Sequence, residues 1–120
     1  MDEDSSAQMF GELHGEQLSA VTFVRTYLQL SFDGPCINVT NPLTVHAHTS
    51  TVTSWQPGFR DALCAQIGKV VSSAIFEAGE ALTLRFTDNS VISVSLRPSD
   101  YTSAEVIYAH GFKNKGWFIA

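Results

Sequence analysis

Basic side chains are scarce in this sequence: Lys and Arg together number seven in 120 residues, against twelve Asp and Glu, for a formal net charge of -5. They are also scattered. No basic patch is offered to phosphates, so nucleic acid and anionic membrane surfaces are set aside as partners. Three of the twelve acids, Asp2, Glu3 and Asp4, sit in a polar N-terminal stretch, which leaves nine acidic against seven basic residues elsewhere.

Cysteine is nearly absent too. Cys36 and Cys64 are the only two, without metal or redox spacing, and are expected to be reduced thiols that pack as small hydrophobes. No run of about 18 apolar residues occurs, and the N-terminal residues lack a basic start followed by an apolar stretch. The expectation is therefore a cytoplasmic protein with no signal peptide, in which Asn38-Val39-Thr40 is a chance glycosylation triplet. A phosphate loop is missing, since Gly11 and Gly15 neither follow a strand nor open a helix, and no Gly-x-Ser-x-Gly elbow or cysteine-nucleophile motif is present.

What the chain does have is apolar residues, 44% of the total against 16% charged, in a length that suits one globular domain. With so few charges, its outward faces fall to Ser, Thr, Asn and Gln. Laid against itself, the sequence matches in two halves. Leu13-His14-Gly15 through Val24 aligns with Gln66-Ile67-Gly68 through Glu77 at an offset of 53, pairing Gly15 with Gly68, Ser19 with Ser72 and Phe23 with Phe76. Leu28, Leu30 and Phe32 then fall on Leu82, Leu84 and Phe86 at an offset of 54, and Asp33, Ile37 and Val39 on Asp88, Ile92 and Val94 at 55. Pro42 meets Pro98 at 56, and after a longer insertion Val45-His46-Ala47-His48 resembles Ile107-Tyr108-Ala109-His110.

The matched runs alternate apolar and polar with a period of two, the pattern of strands with one buried face. Asp33-Gly34 and Asp88-Asn89 between them tolerate the positive φ of hairpin turns. Pro35 cannot donate to a ladder, so the third strand is expected at an edge or after a loose turn. Each unit reads as three strands, a proline break and a fourth extended segment. Pro57 to Ile67 carries the helix signal, with Phe59, Leu63 and Ile67 four apart and Gly68 as terminator.

The expected fold is all-β and mainly antiparallel: two structural repeats forming a small β-sandwich or barrel of seven to nine strands about a pseudo-twofold axis, with one short helix near 57–67. Repeat one spans 13–53 and repeat two 66–112, within a domain of 9–120 that follows a disordered tail over 1–8. The alternative is α+β, with Ser99 to His110 helical through Ala104, Ile107 and Tyr108. The doubled pattern of Gly, a charged residue, an apolar strand, Leu-x-Leu-x-Phe and an Asp-Gly or Asp-Asn turn, at Gly15 to Val39 and Gly68 to Val94, resembles small uncharacterised bacterial two-repeat β proteins. That resemblance covers about Leu13 to His110. It implies a fold and brings no activity with it.

Three groups of residues could carry chemistry. His46 and His48, two apart on a strand, share a face and with His110 could hold zinc or a similar divalent metal, although no carboxylate follows as in the cupin motif. Asp33 and Asp88 are matched carboxylates but sit where turns need Asp, and Glu77 and Glu80 flank Gly79 facing solvent. Trp55, Trp117 and Phe118 are candidate interaction residues: Trp55 as a lid on the core or a recognition anchor, Trp117-Phe118-Ile119 as an edge strand added to its own sheet or a second molecule's. No catalytic residue and no cofactor is expected. The functional expectation is a non-enzymatic protein-interaction or binding module of a bacterial cytoplasm, with a protein partner or self-association, in one version an immunity or accessory protein. The alternative is a small metal- or ligand-binding β-barrel using His46, His48 and His110.

Overall fold

Alternation with a period of two puts Leu28 and Leu30 of one strand, and Leu82, Leu84 and Phe86 of another, on single faces that only a second sheet can bury. The computed structural model describes residues 8–100 and 107–112, and the backbone course of 116–119. In chain order it contains β1 (Ala20–Val24), β2 (Tyr27–Ser31), β3 (Cys36–Val39), β4 (Leu43–Ala47), β5 (Ser50–Thr53), α1 (Phe59–Cys64), β6 (Val71–Glu77), β7 (Ala81–Phe86), β8 (Val91–Ser95), a 3-10 turn (Pro98–Asp100), β9 (Ile107–Phe112) and β10 (Gly116–Ile119). A helical turn over 8–11 precedes β1. The strands form two five-stranded antiparallel sheets, β1-β2-β3-β9-β10 and β5-β4-β8-β7-β6. The all-β sandwich is thus the fold of the chain.

Reading the second sheet backwards, as β6-β7-β8-β4-β5, shows that it is the first with five added to the numbers of β1, β2 and β3 and five subtracted from those of β9 and β10. Each sheet therefore takes three strands from one repeat and a two-stranded hairpin from the other. The repeats do not merely face each other; they exchange hairpins. Between the sheets lies one apolar core that includes Leu30, Ile37, Leu43, Leu84, Ile92 and Ala109.

The pseudo-twofold axis can be located by hydrogen bonds. Gly15 N–H donates to Val71 O at 2.8 Å and Gly68 N–H to Leu18 O at 2.7 Å; Val71 N–H donates to Glu16 O at 2.8 Å and Leu18 N–H to Lys69 O at 3.0 Å. At the offset of 53 each bond of these two pairs maps onto its mate. The bridge Gln17 to Val70 maps onto itself and marks the axis. Gly15 and Gly68 both have positive φ, 84° and 95°, which side chains with a Cβ rarely adopt. The helical turn at 8–11 and α1 are then equivalent too, and they bury Met9 and Phe10 on one side and Phe59 and Leu63 on the other.

Several expectations change. There are ten strands rather than seven to nine, because the single fourth segment of each repeat is a hairpin, β4–β5 and β9–β10. In the first of these, Ala47 pairs with Ser50 across a turn of His48 and Thr49. The fourth-segment match slips by two residues: Ile107 pairs with Val39 and Leu43 with Val94, so the structural offset is 64 and His110 corresponds to His46, not His48. Repeat two runs on through β10. Pro35 stands in the loop before β3, which is an inner strand; Phe32 N–H donates to Pro35 O at 2.8 Å across that loop. Of the segment proposed as helical in the α+β alternative, 107–110 is strand; 101–106 lies outside the described residues, as does 1–7 of the expected disordered tail. The expected helix is the shorter Phe59–Cys64, and Gly68 closes the turns that follow it. No helix among the described residues is long and apolar enough to cross a membrane.

A close backbone approach joins the two repeats where β9 passes the β2–β3 loop. A methyl group built on Gly111, whose φ is 78°, would overlap the Gly34 carbonyl. Gly111→Ala is expected to cost about 2 kcal/mol or more in urea unfolding, since both backbone overlap and φ strain oppose it. Gly11→Ala, at a helical-turn position with nothing within 4 Å, should leave the midpoint unchanged or raise it.

Candidate functional site

Thr53 to Gln56 forms a tight turn, with Gln56 N–H donating to Thr53 O at 3.0 Å and Thr53 N–H to Gln56 Oε1 at 2.7 Å. Its third position has a φ of 66°, where glycine or asparagine is usual, and the residue there is Trp55. Left-handed backbone at a bulky residue costs about 1–3 kcal/mol and persists only where surroundings over-determine it. Here the ring rests on Phe59 at 5.5 Å and Phe23 at 6.2 Å between centroids, with the Arg60 guanidinium 5.7 Å from the indole. Ser54 locks the turn to β4, its N–H donating to Leu43 O and its Oγ accepting from Leu43 N–H at 2.8 Å. Trp55 nevertheless stays 56% exposed. Its indole covers Phe59 with part of its surface and leaves the rest exposed.

Beside it opens a cleft of about 270 Å³. Its walls come from the β1–β2 turn (Arg25, Thr26), β2 and β3 (Tyr27, Leu28, Val39), the crossing segment between the sheets (Thr40, Asn41, Pro42), and Thr53, Ser54 and Trp55. The crossing segment is where the chain leaves the first sheet to place its hairpin on the second, so the cleft follows from the exchange. Asn41 is only 3% exposed. Its Nδ2 donates to Ser95 O at 2.9 Å, which fixes the amide orientation, and its Oδ1 accepts no hydrogen bond from any described residue. A buried acceptor left in this state costs about 1–3 kcal/mol.

The other candidates fall elsewhere. His46 is exposed on β4 with Nδ1 3.3 Å from Thr51 Oγ1, and His48 lies in the hairpin turn rather than on the strand. His110 belongs to the other sheet, where it faces Cys36 across the β3–β9 ladder and its ring lies 5.3 Å from that of Tyr108, tilted by 47°. Among the described residues, no three His, Cys, Asp or Glu side chains are grouped closely enough to hold a metal, so these three histidines are not brought together. Cys36 is buried and Cys64 exposed, both unpaired. Trp117 and Phe118 lie on β10, which adds an edge strand to the chain's own first sheet. Glu77 and Glu80 are exposed at the β6–β7 turn.

Asp33 and Asp88, equivalent in the repeat, have diverged. Asp33 is exposed, whereas Asp88 Oδ2 pairs with Lys69 Nζ at 2.7 Å and Asp88 Oδ1 accepts the Ser90 N–H at 2.9 Å. Ser90 Oγ lies 2.7 Å from Gln66 Oε1 and also within bonding reach of Asp88 Oδ1, donating its one proton to either. Lys69 Nζ stands 3.3 Å from that hydroxyl, the pairing of a Ser–Lys nucleophile. The chemistry is nonetheless blocked. Lys69 is held in the ion pair with Asp88, and Ser90 is only 2% exposed, which leaves its hydroxyl without access from solvent. This group closes the β7–β8 loop; Asn89, the equivalent of Gly34, supplies its positive φ of 71°.

No protein family, curated protein or solved structure matches the chain. The residues that sequence reasoning missed are Asn41 and the cleft wall around Arg25 to Leu28. Their only sequence trace is the Asn41-Pro42 break at the sheet crossing.

Two outcomes are expected from this geometry. Because φ is positive at Trp55, Trp55→Gly should unfold at a higher temperature than Trp55→Ala, by about 1 kcal/mol in stability, although glycine is otherwise the worse residue. The hydrogen bonds from Lys69 and then Ser90 hold the Asp88 carboxyl well below the usual carboxylate range, against the opposing effect of burial. A depressed folded-state pKa means the contribution is whole above the unfolded pKa of about 4 and is lost as pH falls below it. Side-chain exposures of 27% and 37% for Lys69 and Asp88 imply solvent screening, so Asp88→Asn should cost about 1 kcal/mol at pH 7 and progressively less as pH falls below about 4 in thermal unfolding.

Proposed function

We propose that this chain is a non-enzymatic binding module whose recognition surface is the cleft between the β1–β2 turn and the sheet crossing, with Trp55 at its mouth. The observation that carries the reading is Trp55 itself: an aromatic residue on strained backbone, more than half exposed, beside a cleft whose wall includes the crossing segment of Asn41. Strained conformations and unsatisfied buried groups concentrate where a fold gives up stability for recognition. Tryptophan, with tyrosine and arginine, is enriched among the residues that carry binding energy at interfaces.

The lining supports a binding role. The cleft wall combines the Tyr27 phenol and threonine hydroxyls with the Arg25 guanidinium and apolar side chains. Its Ser54 hydroxyl is committed to the Leu43 backbone. What remains are hydroxyls, one amide, one guanidinium and apolar walls, a set that orients a bound group. The bound group belongs to a partner, a protein or a small molecule, inserted against Trp55.

The test is a fragment screen read by ¹H–¹⁵N correlation spectra of the full chain. Fragments that bind should shift the amides of Arg25, Thr26, Asn41 and Ser54 and the Trp55 indole N–H, and Trp55→Ala should weaken them about tenfold. Shifts that map consistently to another face, or that survive Trp55→Ala unchanged, would remove the cleft as the recognition surface.

A further inference from the structure

We propose that the chain pairs with a second copy of itself through the open edge of β1, antiparallel about a twofold axis at Thr22, so that the two first sheets become one. The inference goes beyond the cleft and stands without it. Register decides which backbone groups face outward. Phe32 N–H donates to Pro35 O, and in the same register Leu30 meets Ile37 and Leu28 meets Val39, so these three residues of β2 turn their backbone groups to β3. Tyr27, Gln29 and Ser31 then turn theirs to Val24, Thr22 and Ala20 of β1. That leaves the N–H and C=O of Val21 and Phe23 directed away from the sheet, and no described residue pairs with them.

What fits this edge is its own sequence. Residues 17–24 carry no charge, with Glu16 before them and Arg25 after. Laid antiparallel about Thr22, Val21 of each copy exchanges backbone hydrogen bonds with Phe23 of the other, Thr22 faces Thr22, and Ala20 faces Val24. Glu16 then comes to the end that holds the other copy's Arg25, whereas a parallel pairing sets like charge beside like. Two chains of net charge -5 meet most easily where acids are few, and this edge is such a place. Lys and Pro, which blunt edges, are absent from it, and its register on β2 is unbroken from Ala20 to Val24. By contrast, β5 is closed at Thr53 by Gln56, and β10 carries a register shift. Apolar surface also lies open beside β1: Val21 and Phe23 are half-buried, and Trp55 stands 6.2 Å from the Phe23 ring. At the equivalent place Phe76 of β6 stacks on Phe10, which is fully buried. One strand pair is a small interface, so the dimer is weak, with a Kd on the order of 10 μM.

Sedimentation equilibrium of the full chain tests this, and it should report monomer in exchange with dimer at about that affinity. Thr22 is exposed, so Thr22→Lys and Thr22→Glu set like charges across the axis without entering the core. Each should raise the Kd about tenfold or more, and an equimolar mixture of the two should recover the dimer. Thermal unfolding of both variants checks that the fold is kept. Should either fail to fold, Thr22→Cys in a Cys64→Ser chain serves instead, and mild oxidation should link two copies at the axis. A chain that stays monomeric up to about 1 mM overturns the proposal. So does a dimer that both charged variants leave unchanged, one that their mixture fails to restore, or a Thr22→Cys chain that does not cross-link.

Discussion

Four backbone hydrogen bonds, exchanged reciprocally between residues 15–18 and 68–71, hold the two repeats in register about their axis. Everything else depends on that pairing. It requires left-handed backbone at Gly15 and Gly68 so that each repeat can turn from its helical segment into its first strand. It sets β1 and β6 running from one junction into different sheets. A repeat of three strands and a hairpin cannot cover its own apolar face, and in this arrangement neither has to, because each sheet is completed by the other's hairpin. The Gly34–Gly111 approach is a second seam of the same kind, where a strand of repeat two passes a loop of repeat one too closely for any side chain.

The places where the twofold symmetry fails are the informative ones. At equivalent positions repeat two has Gln66, Lys69 and Ser90, tied together with Asp88, while repeat one has Leu13, Glu16 and Pro35. One copy of the loop is stapled by a polar side-chain network, while the other carries a proline and the backbone bond from Phe32 N–H to Pro35 O. The crossings differ as well. Between β3 and β4 the chain passes in three residues, Thr40, Asn41 and Pro42, and that short passage leaves the cleft and strands the Asn41 oxygen; between β8 and β9 it takes a longer path through Pro98–Asp100. Function in this reading sits where one copy has been allowed to depart from the other.

Much of the fold was legible in the sequence because its cause is local. Alternation at Leu28, Leu30 and Phe32 and at Leu82, Leu84 and Phe86, the Asp-Gly and Asp-Asn turns, and the helix before Gly68 are each written within a few residues. The hairpin at His48-Thr49 was not, since neither residue adopts positive φ and no glycine marks the turn, so β4 and β5 read as one segment. That missing turn also slipped the match between the fourth segments by two residues. Hairpin exchange was illegible for a different reason: strand partners are set by burial summed over both sheets, not by any one strand's pattern. The helical turn at 8–11 was masked by the acidic residues before it. Of the candidate site, Trp55 could be named from its place on a connection, but Asn41 becomes visible only when its partners, or the lack of one, are known.

The central claim is that the two repeats form one cooperative unit locked at the axis, and native-state hydrogen exchange of the Gly15, Leu18, Gly68 and Val71 amides tests it most directly. The account expects all four to exchange only through global unfolding, with the same free energy as the inner-strand amides at the β3–β9 and β4–β8 seams. Exchange of one pair at the rate of loop amides while its symmetry mate stays protected would show that the repeats open separately, and would contradict it.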